Sequence, residues 1–112
     1  MTLREKQEIF TKNLAKLIEY IFDSGYTCTL GEAWRTQEQA DIYAAKGIGS
    51  KNSLHLQRLA IDLNIFKDGK WLKRSEEYEF AGIYWMALDE ANTWGGSGND
   101  GNHFSMGGKT TW

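Results

Sequence analysis

Apolar and charged residues at the start of the chain repeat with the period of a helix. The apolar residues recur at spacings of three, four and seven, which places them along one helix face. They are Leu3, Phe10, Leu14, Leu17, Ile18 and Ile21. Charged residues interrupt the stretch, so it is neither a spanning helix nor the apolar region of a signal peptide. The pattern predicts an amphipathic helix over residues 3–22 that stops at Gly25.

Two other segments have the composition or the period of strands. Residues 26–30 are rich in β-branched and aromatic types. Residues 60–66 alternate between two faces. One face carries Ile61, Leu63 and Ile65, and the other carries Ala60, Asp62 and Asn64. The pair Asp68-Gly69 then predicts a tight hairpin, with residues 70–72 as the returning strand.

Two more helices are predicted further along the chain. Thr36 followed by Gln39 has the form of a capping box and opens a short helix that ends at Gly47. Residues 75–91 form the third helix. Its predicted apolar face consists of Phe80, Ile83, Tyr84, Ala87, Leu88 and Ala91.

Glycines are concentrated beyond Asn92. A flexible linker has a similar glycine density, but it seldom carries tryptophan, histidine and phenylalanine at its centre, as this segment does with Trp94, His103 and Phe104. We interpret the segment as an ordered loop packed against a cleft.

Composition limits the class of protein. The chain has 112 residues, 41% hydrophobic and 25% charged, which is the balance of one soluble globular domain spanning residues 1–112. The 13 basic and 15 acidic residues give a net charge of −2, so no basic excess attracts nucleic acid. The single Cys28 cannot form an internal disulfide, and we interpret it as an inert thiol of an apolar strand.

Both histidines of the chain, His55 and His103, fall in predicted loops or strand edges. Asp62 lies seven positions after His55 on a strand with a buried face, where a carboxylate needs a partner, a metal or solvent. Two imidazoles and a carboxylate make a three-ligand set that leaves one position of a tetrahedral Zn²⁺ ion for water. The alternative is that Asp62 faces solvent on an edge strand and that both histidines are surface residues. Spacing alone leaves both interpretations open.

Asp100 stands three residues before His103. A carboxylate at that distance can lie beside the open metal position and exchange a proton with a water molecule there. An aspartate before Gly101 is also common in turns for conformational reasons alone. The spacing does not decide between a general base and a turn residue.

Arg35 follows a predicted strand and precedes a helix cap, a position from which its side chain can reach a cleft. The guanidinium can bind a substrate carboxylate or stabilise an oxyanion. Its alternative role is a surface salt bridge with Glu32 or Glu38.

Ser53 and Trp94 are secondary candidates. No nucleophile elbow surrounds Ser53, so a hydroxyl that caps a turn is the favoured interpretation. Trp34, Trp85 and Trp94 are expected mainly in the core, although Trp94 beside the glycines is a candidate to line a groove.

Together, these motifs resemble the zinc peptidases of the D-alanyl-D-alanine carboxypeptidase and VanX/VanY class, most closely the short phage-type L-alanyl-D-glutamate endopeptidases. The resemblance extends from about residue 26 to residue 106. It rests on Ser53-Leu-His55 followed by Ala60-Ile-Asp62, on Asp100-x-x-His103-Phe104, and on Arg35-Thr36 leading to Gln39.

The resemblance implies a small α+β domain, of the Hedgehog and D-Ala-D-Ala peptidase-like type, in which an antiparallel sheet carries a zinc site and packs against about three helices. The implied Zn²⁺ ligands are His55, Asp62 and His103. Asp100 is the implied general base, and Arg35 is implied to bind substrate and polarise the scissile carbonyl. Ser53 and Trp94 are then candidate substrate contacts.

Two positions depart from the usual pattern of the class. Arg58 replaces the glycine three residues after the first ligand. The implied base is an aspartate, as in the phage branch, whereas many other relatives in the class use glutamate. The implied substrate is the stem peptide of peptidoglycan, cut by a monomeric endolysin. Such an enzyme is made in the host cytoplasm without a signal peptide and acts at the bacterial cell wall.

Two alternative functions stay open. A D-alanyl-D-alanine carboxypeptidase or dipeptidase requires a pocket closed around a free carboxylate, whereas an endopeptidase needs an open cleft. A non-catalytic module that binds wall peptides has no need of a base at Asp100.

Overall fold

The protein has an α+β fold, as the resemblance implied. The structure, a computed structural model, describes residues 1–50 and 52–107. Its helices are α1 (Leu3–Asp23), α2 (Gln37–Ala45) and α3 (Glu79–Leu88). Its strands are β1 (Thr27–Leu30), β2 (Ala60–Lys67), β3 (Lys70–Trp71), β4 (Asn92–Trp94) and β5 (His103–Met106). None of the helices in these ranges combines the length and the apolar character needed to cross a membrane.

The strands form one antiparallel sheet in the order β1-β2-β5-β4, with β3 also paired to β2. The long strand β2 is central because its first half pairs with β5 and its second half with β1 and β3. The register places Asp62 of β2 directly opposite His103 of β5. The sheet therefore brings two of the candidate metal ligands side by side.

The core lies between the sheet and the helices α1 and α3. The alternation predicted for β2 is confirmed, because Ile61, Leu63 and Ile65 are all buried. The face predicted for α1 is confirmed at Phe10, Leu17 and Ile21, whereas Leu3 is exposed. Trp85 of α3 is fully buried, and its indole N–H donates to the carbonyls of Thr93 and Ser105. That pair of hydrogen bonds ties α3 to the edge of the sheet.

The face predicted for the third helix is wrong in part. A 3₁₀ turn occupies Ser75–Tyr78, and the α-helix begins only at Glu79. Its buried residues are Ala81, Gly82 and Trp85, while Ile83 is 57% exposed. The reason is Gly82, where a Cβ atom would overlap the ring of Trp94, so the helix approaches the sheet along its glycine side.

Thr36 begins α2 as the sequence predicted. Its side chain accepts a hydrogen bond of 3.0 Å from the backbone N–H of Gln39, which satisfies one of the free donors at the start of the helix. The backbone N–H of Arg35 donates to the carbonyl of His55. These two contacts fix the direction of the chain on either side of Arg35.

Arg58 preserves the shape of the turn that carries His55. It ends the 3₁₀ turn Leu54–Gln57 in the left-handed conformation, with φ 56° and ψ 36°. Glycine adopts this conformation without steric cost because it has no Cβ atom. Its guanidinium stacks over the ring of Trp34, 4.9 Å from the ring centroid. Trp34 was expected mainly in the core, but it is 50% exposed.

We expect Arg58→Gly to be more stable than Arg58→Ala by about 1 kcal/mol in free energy of unfolding. Both variants lose the contact with Trp34, so the comparison isolates the cost of a Cβ atom at positive φ. Denaturant unfolding of the two variants measures the difference. An alanine variant as stable as the glycine variant would show that the turn relaxes away from the left-handed conformation.

Candidate metal centre

Three separate elements bring His55, Asp62 and His103 together. His55 lies on the turn Leu54–Gln57, Asp62 on β2, and His103 at the start of β5. The Oδ1 atom of Asp62 is 3.3 Å from Nε2 of His55 and 3.4 Å from Nδ1 of His103. One ligand atom from each residue lies within 4.8 Å of the others, so the group could hold a metal ion.

The group combines two buried imidazoles with a carboxylate that stays ionised. Both rings are almost completely buried, while the Asp62 side chain is 24% exposed. Burial of Asp62 acts to raise its pKa, but the close contacts with the ring nitrogens of His103 and His55 and the charges of these rings outweigh it and hold the pKa at about 2. Asp62 therefore provides an anionic oxygen between two ring nitrogens.

The surroundings of His55 fit a metal ligand. Within residues 1–50 and 52–107, neither of its ring nitrogens has a hydrogen-bond partner, although the ring is fully buried. A buried polar atom left unpaired is costly, and a bound cation would satisfy the lone pair of Nε2. Two nitrogens and one carboxylate oxygen beside an open cleft are the donor set typical of catalytic zinc.

Ser53, a candidate substrate contact, is placed behind His55 and is not among the residues that line the cleft. Its side chain is fully buried. Its Oγ accepts a hydrogen bond of 3.2 Å from the backbone N–H of His55. Ser53 therefore caps the turn, which is the interpretation that its sequence surroundings favoured.

The metal group lies in a cleft of about 660 Å³. One part of its wall comes from the loop after α2, with Tyr43 behind it, and another from the glycine-rich loop before β5. The loop residues are Gly47, Ile48, Gly49 and Ser50 on the first side and Gly98, Asn99 and Asp100 on the second. The glycine-rich segment was predicted as a loop, but it also contains β4 and β5, and only residues 98–100 of its loop line the cleft. Its last residues, 108–112, lie outside the described residues.

Asp100 lies beside the metal group without belonging to it. Its Oδ2 atom is 4.0 Å from Nδ1 of His103, and 40% of its side chain is exposed. Its backbone N–H donates to Gly95 and its carbonyl accepts from His103, so it is also a turn residue. Burial raises the pKa of Asp100; the charge of His103 opposes this rise and that of Asp62 adds to it. The carboxylate is therefore more basic than an ordinary aspartate.

Arg35 lines the cleft and is also part of a salt bridge. Its side chain is only 8% exposed, so the pair is not a surface pair. Nε donates to Oε1 of Glu32 over 2.7 Å, and Nη2 lies 2.5 Å from the same oxygen. The guanidinium also lies over the ring of Tyr43, 4.8 Å from its centroid. Of the two partners that the sequence suggested, the structure selects Glu32 rather than Glu38.

Glu32 is a site residue that sequence reasoning treated only as a salt-bridge partner. It lines the cleft, and its Oε1 atom is 3.7 Å from Nδ1 of His55. The available signal was a carboxylate just after a predicted strand and three residues before Arg35.

Trp94, the other candidate substrate contact, is not among the residues that line the cleft of the metal group. Its ring packs between Gly82 and Gly96, where a Cβ atom at either position would overlap it. Its indole N–H donates to the carbonyl of Gly101 over 2.6 Å. Trp94 borders a separate shallow depression beside Met86. Its visible role is to hold the glycine-rich loop in place.

Comparison with known proteins gives structural matches only. No protein-family model and no curated protein matches the chain. The L-Ala D-Glu endopeptidase ChiX of Serratia marcescens aligns with a TM-score of 0.69 and 18% identity, covering 92% of this chain and 84% of its own. The vancomycin resistance D,D-pentapeptidase VanY, solved as an E175A mutant with Zn(II), aligns with a TM-score of 0.59 and 18% identity, covering 88% and 71%. The chain shares the fold of these two peptidases, which belong to the class that its motifs resemble.

Proposed function

We propose that the protein is a zinc-dependent peptidase that hydrolyses the stem peptide of peptidoglycan, as an endopeptidase of the L-alanyl-D-glutamate type. The observation that carries the proposal is the meeting of the metal group, Asp100 and Arg35 in one cleft. The fold shared with ChiX and VanY supports it. A module that only binds wall peptides would not need a carboxylate of raised pKa beside the metal group.

The chain divides the work of the reaction among its residues. His55, Asp62 and His103 would hold the metal ion. Zinc, when bound, supplies a Lewis acid that polarises the scissile carbonyl and makes water a better nucleophile. Asp100 takes one proton from the attacking water and later delivers it to the leaving amine, while the remaining hydroxyl joins the carbonyl carbon as the C–N bond breaks. Arg35 stabilises the negative charge that develops on the carbonyl oxygen.

The proposed substrate also implies where the protein acts. Its substrate is part of the bacterial cell wall, so the protein would act there, with the role of an endolysin. The catalytic unit would be the single domain of residues 1–112, acting as a monomer.

A synthetic stem pentapeptide distinguishes the proposed reaction from its closest alternative. An L-alanyl-D-glutamate endopeptidase releases the amino-terminal L-alanine from L-alanyl-D-glutamyl-diamino acid-D-alanyl-D-alanine. A carboxypeptidase releases D-alanine from the other end, whereas a dipeptidase acts on free D-alanyl-D-alanine, which is tested beside the pentapeptide. Chromatography of the zinc-loaded protein's products would support the first activity if L-alanine appears, and the alternative if only D-alanine species appear.

Arg35→Lys is expected to lower kcat/KM on such a peptide by about tenfold or more. Lysine keeps the charge but loses the planar group that pairs with Glu32 and lies over Tyr43. Arg74→Lys is the matched control, because Arg74 forms an exposed ion pair with Glu76 and is 75% exposed. Thermal unfolding of both variants accompanies the kinetics. If Arg35→Lys loses activity only in proportion to folded protein, Arg35 has a purely structural role.

A further inference from the structure

The backbone of Glu32 is fixed against the strand that carries Asp62. The N–H of Gly31 donates to the Asp62 carbonyl over 2.7 Å, and the N–H of Asp62 donates to the Glu32 carbonyl over 2.9 Å. A Cβ atom at Gly31 would lie 3.0 Å from the Asp62 carbonyl oxygen, so only glycine allows this approach without a shift. Glu32 therefore has a defined position relative to the metal group.

The side chain of Glu32 points at two members of the site through one oxygen. Oε1 accepts from Arg35 and lies 3.7 Å from Nδ1 of His55. The other ring nitrogen of His55, Nε2, faces Asp62. Asp62 and Glu32 are thus on opposite sides of the imidazole. A metal ion held at Nε2 would leave the ring proton on Nδ1, on the side of the Glu32 carboxylate, which would help to orient the ring.

We propose that Glu32 is a positioning residue that orients both the metal ligand His55 and the cleft cation Arg35. The inference rests on the proposed function for its connection to catalysis. Through His55, Glu32 strengthens metal binding. Through Arg35, it fixes the orientation of the guanidinium in the cleft wall.

The contact with Glu32 also sets the orientation of Arg35. Glu32 engages Nε and Nη2 through one oxygen, over 2.7 and 2.5 Å. Nη1 lies beside Gly49 in the cleft wall and has no hydrogen-bond partner among the residues that the structure describes. Glu32 therefore holds one edge of the guanidinium and leaves the Nη1 end beside the loop after α2.

Three variants test this role: Glu32→Ala, Glu32→Gln, and Glu38→Ala as a matched control on the exposed first turn of α2. Chelator competition is expected to show a loss of zinc affinity of about 10–100-fold in Glu32→Ala. Glu32→Gln should recover part of it, because its amide oxygen can accept from Nδ1. The control should stay within about twofold of the parent, because Glu38 is exposed and does not line the cleft.

Two further measurements separate positioning from general destabilisation. Proton NMR of the zinc-loaded proteins should show slow solvent exchange of the His55 Nδ1 proton in the parent and faster exchange in Glu32→Ala. Glu32→Ala should also lower kcat on the stem peptide, since Arg35 loses the partner that holds its guanidinium. Thermal unfolding shows whether each variant is folded, and Glu32→Gln carries the test if Glu32→Ala is not.

The outcomes distinguish this inference from the proposed function. Unchanged zinc affinity together with unchanged exchange of the Nδ1 proton in folded Glu32 variants would overturn the positioning role. A parent that cleaves no stem peptide but loses zinc affinity in Glu32→Ala would support Glu32 positioning and refute the peptidase proposal.

Discussion

Asp100→Asn should reduce turnover of stem peptide by roughly a hundredfold or more, which is the usual scale for removing a general base. The fold and the zinc content should stay unchanged. The amide keeps the size of the carboxylate but cannot take a proton from water. Asp100 makes its turn contacts through backbone atoms, with Gly95 and His103, so the substitution leaves them intact. Steady-state kinetics on the synthetic peptide measure the loss.

Asp68→Asn is the matched control, because Asp68 also precedes a glycine in a turn, with φ 52°, and is exposed at the far end of β2. It should cleave as fast as the parent. Asp100→Ala serves as a second variant that cannot regain a carboxylate by deamidation. Parental turnover in both Asp100 variants would make Asp100 a turn residue only.

His55→Ala should purify with almost no zinc, whereas the parent should hold one zinc ion per chain. Removal of a ligand costs more than removal of an outer partner of a ligand, which itself lowers affinity about 10–100-fold. The remaining pair, Asp62 and His103, offers too few donors for a tetrahedral site. Elemental analysis of protein dialysed against metal-free buffer gives the stoichiometry.

His55 is fully buried, so its removal also leaves a cavity, and a second variant is needed. Asp62→Asn keeps the volume of a ligand and should likewise lose zinc affinity. Asn64→Ala is its control, two residues along the same face of β2 and outside the metal group. Parental zinc content in both ligand variants would show that the metal, if any, binds elsewhere.

The periodicity of apolar residues is sufficient to predict the buried residues of an element that meets the core with one face. The alternation of β2 and the spacing in α1 follow from burial of a single face, so Leu63 and Leu17 could be placed from sequence. The third helix was misjudged because a glycine, Gly82, faces the sheet and Ile83 faces solvent. Local patterns rank side chains by apolarity and do not show that a tryptophan ring needs the space above a glycine.

Some features of the candidate site could likewise be predicted from sequence, and others depend on the fold. Spacing alone left surface and ligand interpretations of Asp62 open, because the approach of His103 depends on the register between two strands distant in sequence. The role of Ser53 was recognisable as a turn cap, whereas the place of Trp94 required its packing against glycines from two other elements. Glu32 was overlooked because its two partners converge only in the folded chain.

Mass spectrometry of purified peptidoglycan after digestion tests the peptidase proposal most directly. The zinc-loaded protein should release peptides that begin at D-glutamate and leave L-alanine on the glycan, and a chelator should abolish the release. A digest that shows no released peptide, or only the loss of D-alanine from stem ends, would contradict an L-alanyl-D-glutamate endopeptidase.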